Sequence, residues 1–231
     1  PFQGASGVYH PLLSEAVAQF QSSAYKELLP SGGPVNTRVV GMTTPDRQAQ
    51  ADRVKDFMNY QITEVMQEFD PELDQMLFYL PLSGSSFKKI YYDESLDRAV
   101  SKFITSEDLV VPYETTDLQS ATRITHVIRT PTNEVRKLQQ SGFYRDIELE
   151  PSPEPETVVT EKVDKMEGLR PTNYGSSDMM TVLECHIDLD LTGYEDSGED
   201  GEPTGIQLPY IVTLEEGCQH ILSIRRNWRE T

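Results

Sequence analysis

The stretch Asp70–Asp93, DPELDQMLFYLPLSGSSFKKIYYD, changes period halfway along, and the rest of the chain sorts itself on either side of that change. Asp70 suits an N-cap and Pro71 the first helical position, where a missing N–H costs nothing. Leu73, Met76, Leu77 and Leu80 then fall at i, i+3, i+4 and i+7, one apolar stripe facing a core. Pro81 and the run Ser83-Gly84-Ser85-Ser86 are expected to end the helix. Phe87 to Tyr92 follows as a short alternating run of β-forming residues.

Before this switch the signals are helical. Leu12, Leu13, Ala16, Val17, Phe20, Ala24 and Leu28 mark one face of a helix that opens at Pro11, and Pro30-Ser31-Gly32-Gly33-Pro34 stops it. Val35 to Val40 has the β-branched content of a short strand. Thr44 caps the next helix, in which Val54, Phe57, Met58, Ile62, Val65, Met66 and Phe69 keep helical spacing. That pattern predicts one helix of about 24 residues, about 36 Å long at 1.5 Å per residue.

After the switch the chain reads as strands. Phe87–Tyr92 and Ala99–Thr105 form a hairpin around a turn at Glu94 to Arg98. Leu109 to Tyr113 contains a proline suited to a sheet edge, and Arg123 to Arg129 is a further strand. Thr132 or Asn133 caps a short helix running to Gln140, with Gly142 at its C-cap. Met179, Thr181, Leu183, Cys185, Ile187, Leu189 and Leu191 alternate with Val182, Glu184, His186, Asp188 and Asp190, the cleanest β signal present. Ile206 to Leu214 and Cys218 to Trp228, joined by Glu215-Glu216-Gly217, complete a three-stranded antiparallel unit. Helices first and strands later predict an α+β fold, with N-terminal helices, one of them long, packed on a mostly antiparallel β-rich part. The expected division is a helical part over 1–82 and a β-rich part over 83–231. Acidic insertions are expected near 150–165 and 192–205. Glu148 to Glu161 concentrates Glu and Pro and buries too little apolar surface to fold alone, and Glu161 to Glu167 has the pattern of a turn or two of helix.

Composition narrows the function. Of 231 residues, 38 are acidic and 20 basic, so the formal charge of −18 repels phosphate and argues against tight non-specific nucleic-acid binding. No apolar run is long enough to suggest a membrane span. Cys185 and Cys218 lie outside any C-x-x-C spacing. The chain opens at Pro1 and closes on Arg229-Glu230-Thr231, and is expected to be a fragment.

Asp188-Leu-Asp190-Leu-Thr192-Gly193, with Glu199 at the twelfth position, matches the ligand spacing of a calcium loop. Against calcium, the segment before Asp188 alternates as a strand where that loop needs a helix, and Glu195 stands where an apolar residue is usual. A calcium-dependent binding module is therefore kept only as an alternative. His10, His126, His186 and His220 lack the i, i+4 spacing of a helical metal site, although His186 and Cys218 to His220 are candidates to approach one another in a sheet. Lys88-Lys89 beside Tyr91 and Tyr92, and Arg225-Arg226 with Arg229 beside Trp228, are basic-aromatic clusters of the kind that holds nucleic acid, or else solvated faces and partners for the many carboxylates. The Ser83 to Ser86 run lacks the lysine of a phosphate loop and reads as a turn. No catalytic, cofactor or metal residue set emerges.

Several stretches carry a resemblance. Pro1 to Pro34, Asp56-Phe57-Met58-Asn59-Tyr60-Gln61, Met76 to Asp93, Glu107 to Tyr113 with Thr116-Asp117-Leu118, and Ile224 to Glu230 resemble, in collinear order, the portal proteins of short-tailed bacteriophages. The resemblance implies the wing of a structural, non-catalytic head-to-tail connector subunit. Such subunits form a homo-oligomeric ring, commonly a dodecamer, at one capsid vertex of the virion after assembly in the host cytoplasm. Implied partners are capsid protein and double-stranded DNA in weak, non-specific contact. Terminase and a tail adaptor would be met through regions outside this fragment. No cofactor is implied. On this reading the long helix is a rigid spoke, and strand edges are available to pair between neighbouring subunits.

Overall fold

The computed structural model describes residues 11–93, 96–149, 179–197, 200 and 202–227. The fold is α+β, with helices preceding antiparallel sheets. The chain divides into two compact units, Pro1–Glu107 and Asp108–Thr231.

In the first unit α1 spans Leu12–Leu28, α2 Pro45–Tyr60 and α3 Phe69–Ser83, and β1, Ser86–Asp93, pairs antiparallel with β2, Arg98–Thr105. Thr44 caps α2 as its sequence predicts, accepting the Arg47 N–H at 3.3 Å ahead of Pro45. The long helix does not persist. After Tyr60 the backbone widens into a π turn, Gln61–Val65, and Met66 leaves helical geometry altogether, so α2 runs only about 24 Å. The stretch Val35–Val40 is not a strand, and among the described residues no strand pairs with it. It lies against α2, where the Asn59 side chain accepts the Val35 N–H at 2.9 Å and donates to the Val35 carbonyl at 3.1 Å. Gly33 makes this approach possible: its φ is +89°, and a Cβ there would run into the Asn59 amide.

Helix α3 also departs from its expected ends. It begins at Phe69, so Asp70 is inside the first turn and its carboxylate accepts the Tyr25 hydroxyl of α1 instead of capping. That bond pushes the Tyr25 phenol above its ordinary range, with burial adding to the rise. At the other end Pro81 does not stop the helix. It forfeits the bond that an N–H there would give to the turn before it, and the helix runs two residues further, to Ser83. Gly84, at φ +77°, closes the helix by donating to the Leu80 carbonyl at 2.9 Å. Leu73 and Leu77 are buried and Met76 and Leu80 partly so, as the stripe requires, while Val17 is the buried residue of α1 and Val100, Ser101 and Ile104 those of β2. The hairpin that the sequence grouped with the later strands packs on α3 within this first unit.

The second unit is a five-stranded antiparallel sheet in the order β3-β4-β5-β6-β7, built from Leu109–Val110, Arg123–Pro131, Met179–Leu189, Leu208–Glu215 and Ile221–Arg226. The proline-marked strand β3 is at one edge, as expected. Helix α4, Thr132–Gln140, follows β4 directly and ends before Gly142, whose φ is +77°. The tightest packing on β5 comes from Met180 and Val182, of opposite parity to the alternating apolar set from Met179 to Leu191. Together with Val135 of α4 and Leu222 of β7 they form the core, flanked by Ile128, Tyr144, Ile147 and Leu149. The expectations for Glu94-Ser95, for residues 150–165, for Glu161 to Glu167 and for Trp228 lie outside the described residues.

Candidate functional site

In the first unit, charged side chains gather at the seam where α3 runs along the outer edge of β2. Glu68 precedes the helix, but its side chain does not cap it. The carboxylate turns to the strand instead, taking the Arg98 guanidinium at 2.8 and 2.7 Å and the Ser101 N–H at 3.2 Å. One helical turn on, Glu72 accepts the Phe103 N–H at 2.6 Å. Two carboxylates at i, i+4 therefore satisfy two main-chain donors at i, i+2 of a strand edge, because a helical turn of about 5.4 Å and a two-residue strand step of about 6.6 Å nearly match. Tyr79 and Phe103 extend the seam, their ring centroids 5.5 Å apart.

Lys88 enters the same seam from β1. Its Nζ lies 3.7 Å from the centroid of the Phe69 ring, a cation–π contact. Burial lowers the Lys88 amine below its ordinary value, against the opposing pull of Glu72 and Glu68. Burial raises the Glu68 carboxyl, but bonds from its own main chain, Arg98 and Ser101 outweigh it and leave the group below its ordinary value. The seam is thus a set of opposite charges held in register, suited to fixing the angle between a helix and a hairpin.

A second polar group is on the α4-covered face of the sheet in the other unit. His186 and Glu184 meet at 2.9 Å, and His126 is in register with Glu184 across β4 and β5. Burial, with Glu184 adding to the rise, pushes the Tyr144 phenol up, and Arg225 opposes it. Arg225 itself stacks 4.1 Å from the Phe143 ring and Arg226 lies 5.2 Å from the Tyr210 ring. Among the described residues Lys88, Arg225 and Arg226 of the sequence clusters meet rings other than those beside them in sequence, Lys88 with Phe69, Arg225 with Phe143 and Arg226 with Tyr210, while Arg229 and Trp228 lie outside the described residues. Lys89 in turn lies 5.1 Å from Tyr91.

The sheet does not bring His186 to Cys218 and His220. His186 is opposite Ile211, whereas the turn holding Cys218 follows Glu215, which meets Val182, about 13 Å further along β5. His10 is outside the described residues, as is Glu199 of the calcium spacing. Asp188 is near the end of β5, preceded by strand, and Gly193, at φ +86°, gives its N–H to Glu195 at 2.8 Å. That bond draws the Glu195 carboxyl below its ordinary value. Among the described residues no three His, Cys, Asp or Glu side chains are grouped to hold a metal ion, and no helix is long and apolar enough to cross a membrane. Ser83 to Ser86 is the helix-ending turn, with the Ser83 hydroxyl donating to the Ser85 carbonyl at 2.6 Å.

Of the seam residues, the sequence singles out Lys88, in the Lys88-Lys89 cluster, but not Glu68, Glu72 or Arg98. Their signal is a pair of glutamates one helical turn apart at the start of a helix that leads into a hairpin. Neither the models of known protein families nor the curated protein sequences match this chain.

Proposed function

We propose that this chain is the wing of a bacteriophage portal subunit, a structural part of a head-to-tail connector without catalysis of its own. The observation that carries the reading is collinearity: five stretches from Pro1 to Glu230 resemble short-tailed phage portals in the same order. The seam at Glu68 to Phe103 supports it, since a wing must transmit load between a helical arm and strands, and paired carboxylates on a strand edge stiffen that junction. The acidic balance supports it too. A chain at −18 does not adhere to DNA moving past it.

In this role the subunit joins a ring, commonly of twelve copies, at one vertex of the capsid. It contacts capsid protein and lets double-stranded DNA pass with weak, non-specific contact. Terminase and tail adaptor would dock on parts of the subunit beyond this segment, and the protein would reach the virion after assembly in the host cytoplasm. Native mass spectrometry and electron microscopy of the full-length protein test this. A closed ring with a central channel is expected, and a full-length protein that stays monomeric at high concentration overturns the proposal.

A further inference from the structure

The two edges of the β1–β2 hairpin are treated differently. On the β2 side the N–H groups of Ser101 and Phe103 end on Glu68 and Glu72. Ile90 is directly opposite Ser101, and Lys88 opposite Phe103. Opposed residues in an antiparallel ladder point their main-chain groups together, either both inward or both outward. Ile90 and Lys88 therefore direct their N–H and C=O groups to the outer edge of β1. Among the described residues no main-chain bond from outside the hairpin reaches either of them. Ile90 is 65% exposed and Tyr92, on the same face, 59%. An open edge of this kind, carrying exposed apolar side chains, is a template for another strand.

We propose that a second copy of this chain adds to β1, antiparallel, about a two-fold axis through Ile90, merging two hairpins into one four-stranded sheet. The closed β2 edge leaves each hairpin a single edge to offer, so the partner edge in a second copy's hairpin is again β1. An axis through Ile90 sets the outward groups of the two isoleucines face to face, where they exchange two hydrogen bonds. In that register Lys88-Lys89-Ile90-Tyr91-Tyr92 is its own complement. Lys88 is opposite Tyr92 of the second copy, Lys89 is opposite its Tyr91, and the two exposed isoleucines cover each other. An axis through Lys89 would instead set lysine against lysine, which is unfavourable. A two-fold contact closes on itself after two copies, whereas a ring grows head to tail. The pairing therefore stands independently of the portal reading.

The test uses the intact chain. Sedimentation equilibrium is expected to give a reversible doubling of mass with concentration. Amide exchange at Lys88 and Ile90 should slow as the dimer fills, while Phe87, Lys89 and Tyr91, already bonded to β2, stay unchanged. Ile90→Lys should weaken association by at least about tenfold with the circular dichroism of the wild type, and Ile90→Val should retain it. A chain that remains monomeric overturns the proposal. So does a dimer without slowing at Ile90, an association unaffected by Ile90→Lys in a folded variant, or growth beyond two copies through this edge.

Discussion

The Glu72 carboxylate accepts the main-chain N–H of Phe103 at 2.6 Å, so a side chain of α3 occupies a position where a neighbouring strand would otherwise sit. Truncation to Ala leaves that donor without its partner, and Glu72→Ala is expected to destabilise by about 1–3 kcal/mol. Urea denaturation measures the loss, and faster amide exchange at Phe103 locates it. An unchanged exchange rate there would show that the edge does not depend on Glu72.

Glu68 gives the seam a pH dependence of defined sign. Its folded carboxyl titrates below the ordinary glutamate range, held there against burial by bonds from its own main chain, Arg98 and Ser101. The stabilisation is therefore complete above the unfolded value and is lost as pH falls through the folded one. Melting temperature should drop below about pH 4. Glu68→Gln, which cannot ionise, should be less stable at neutral pH and show a shallower drop in that acid window, as scanning calorimetry from pH 3 to 7 would record.

Leu77 is 2% exposed on the α3 stripe. Leu77→Asp puts an unpaired carboxylate into that core and is expected to cost several kcal/mol, roughly 3 or more, enough to unfold the first unit. Near-ultraviolet circular dichroism and a urea midpoint would report it. A variant with the wild-type midpoint would show that the stripe does not pack.

Glu215, fully buried at the end of β6, folds its own turn: its carboxylate accepts the Gly217 N–H at 2.8 Å and the Cys218 N–H at 2.5 Å. Glu215→Ala strands both donors and is expected to cost about 1–3 kcal/mol. Glu215→Gln, which keeps an acceptor oxygen, should fall between it and wild type in the same denaturation series.

Much of the architecture is legible in the residues. Alternation and turn chemistry place β1, β2, β4 and β5, because each depends on neighbours within a few positions, and the stripe from Leu73 to Leu80 locates the α3 core. What escapes are features set by partners distant in sequence. Val35–Val40 has strand composition but meets the Asn59 side chain rather than another strand. Asp70 has the chemistry of a cap, yet Tyr25, forty-five residues earlier, takes its carboxylate. Met180 and Val182 become the core because Val135 of α4 packs on that face of the sheet, where Leu222 of β7 joins them, and alternation alone does not say which face is covered. The seam is hidden for the same reason, since Glu68 and Glu72 gain meaning only once β2 lies beside them.

The π turn at Gln61–Val65 holds one residue more than an α-helical turn would. Met66 then breaks the helical path, so α2 and α3 are two helices where the sequence pattern runs on as one. Gln61–Val65 and Met66 thus act as a joint: they give α3 a direction of its own, independent of the axis of α2, and it is from that direction that Glu68 and Glu72 reach the strand they serve.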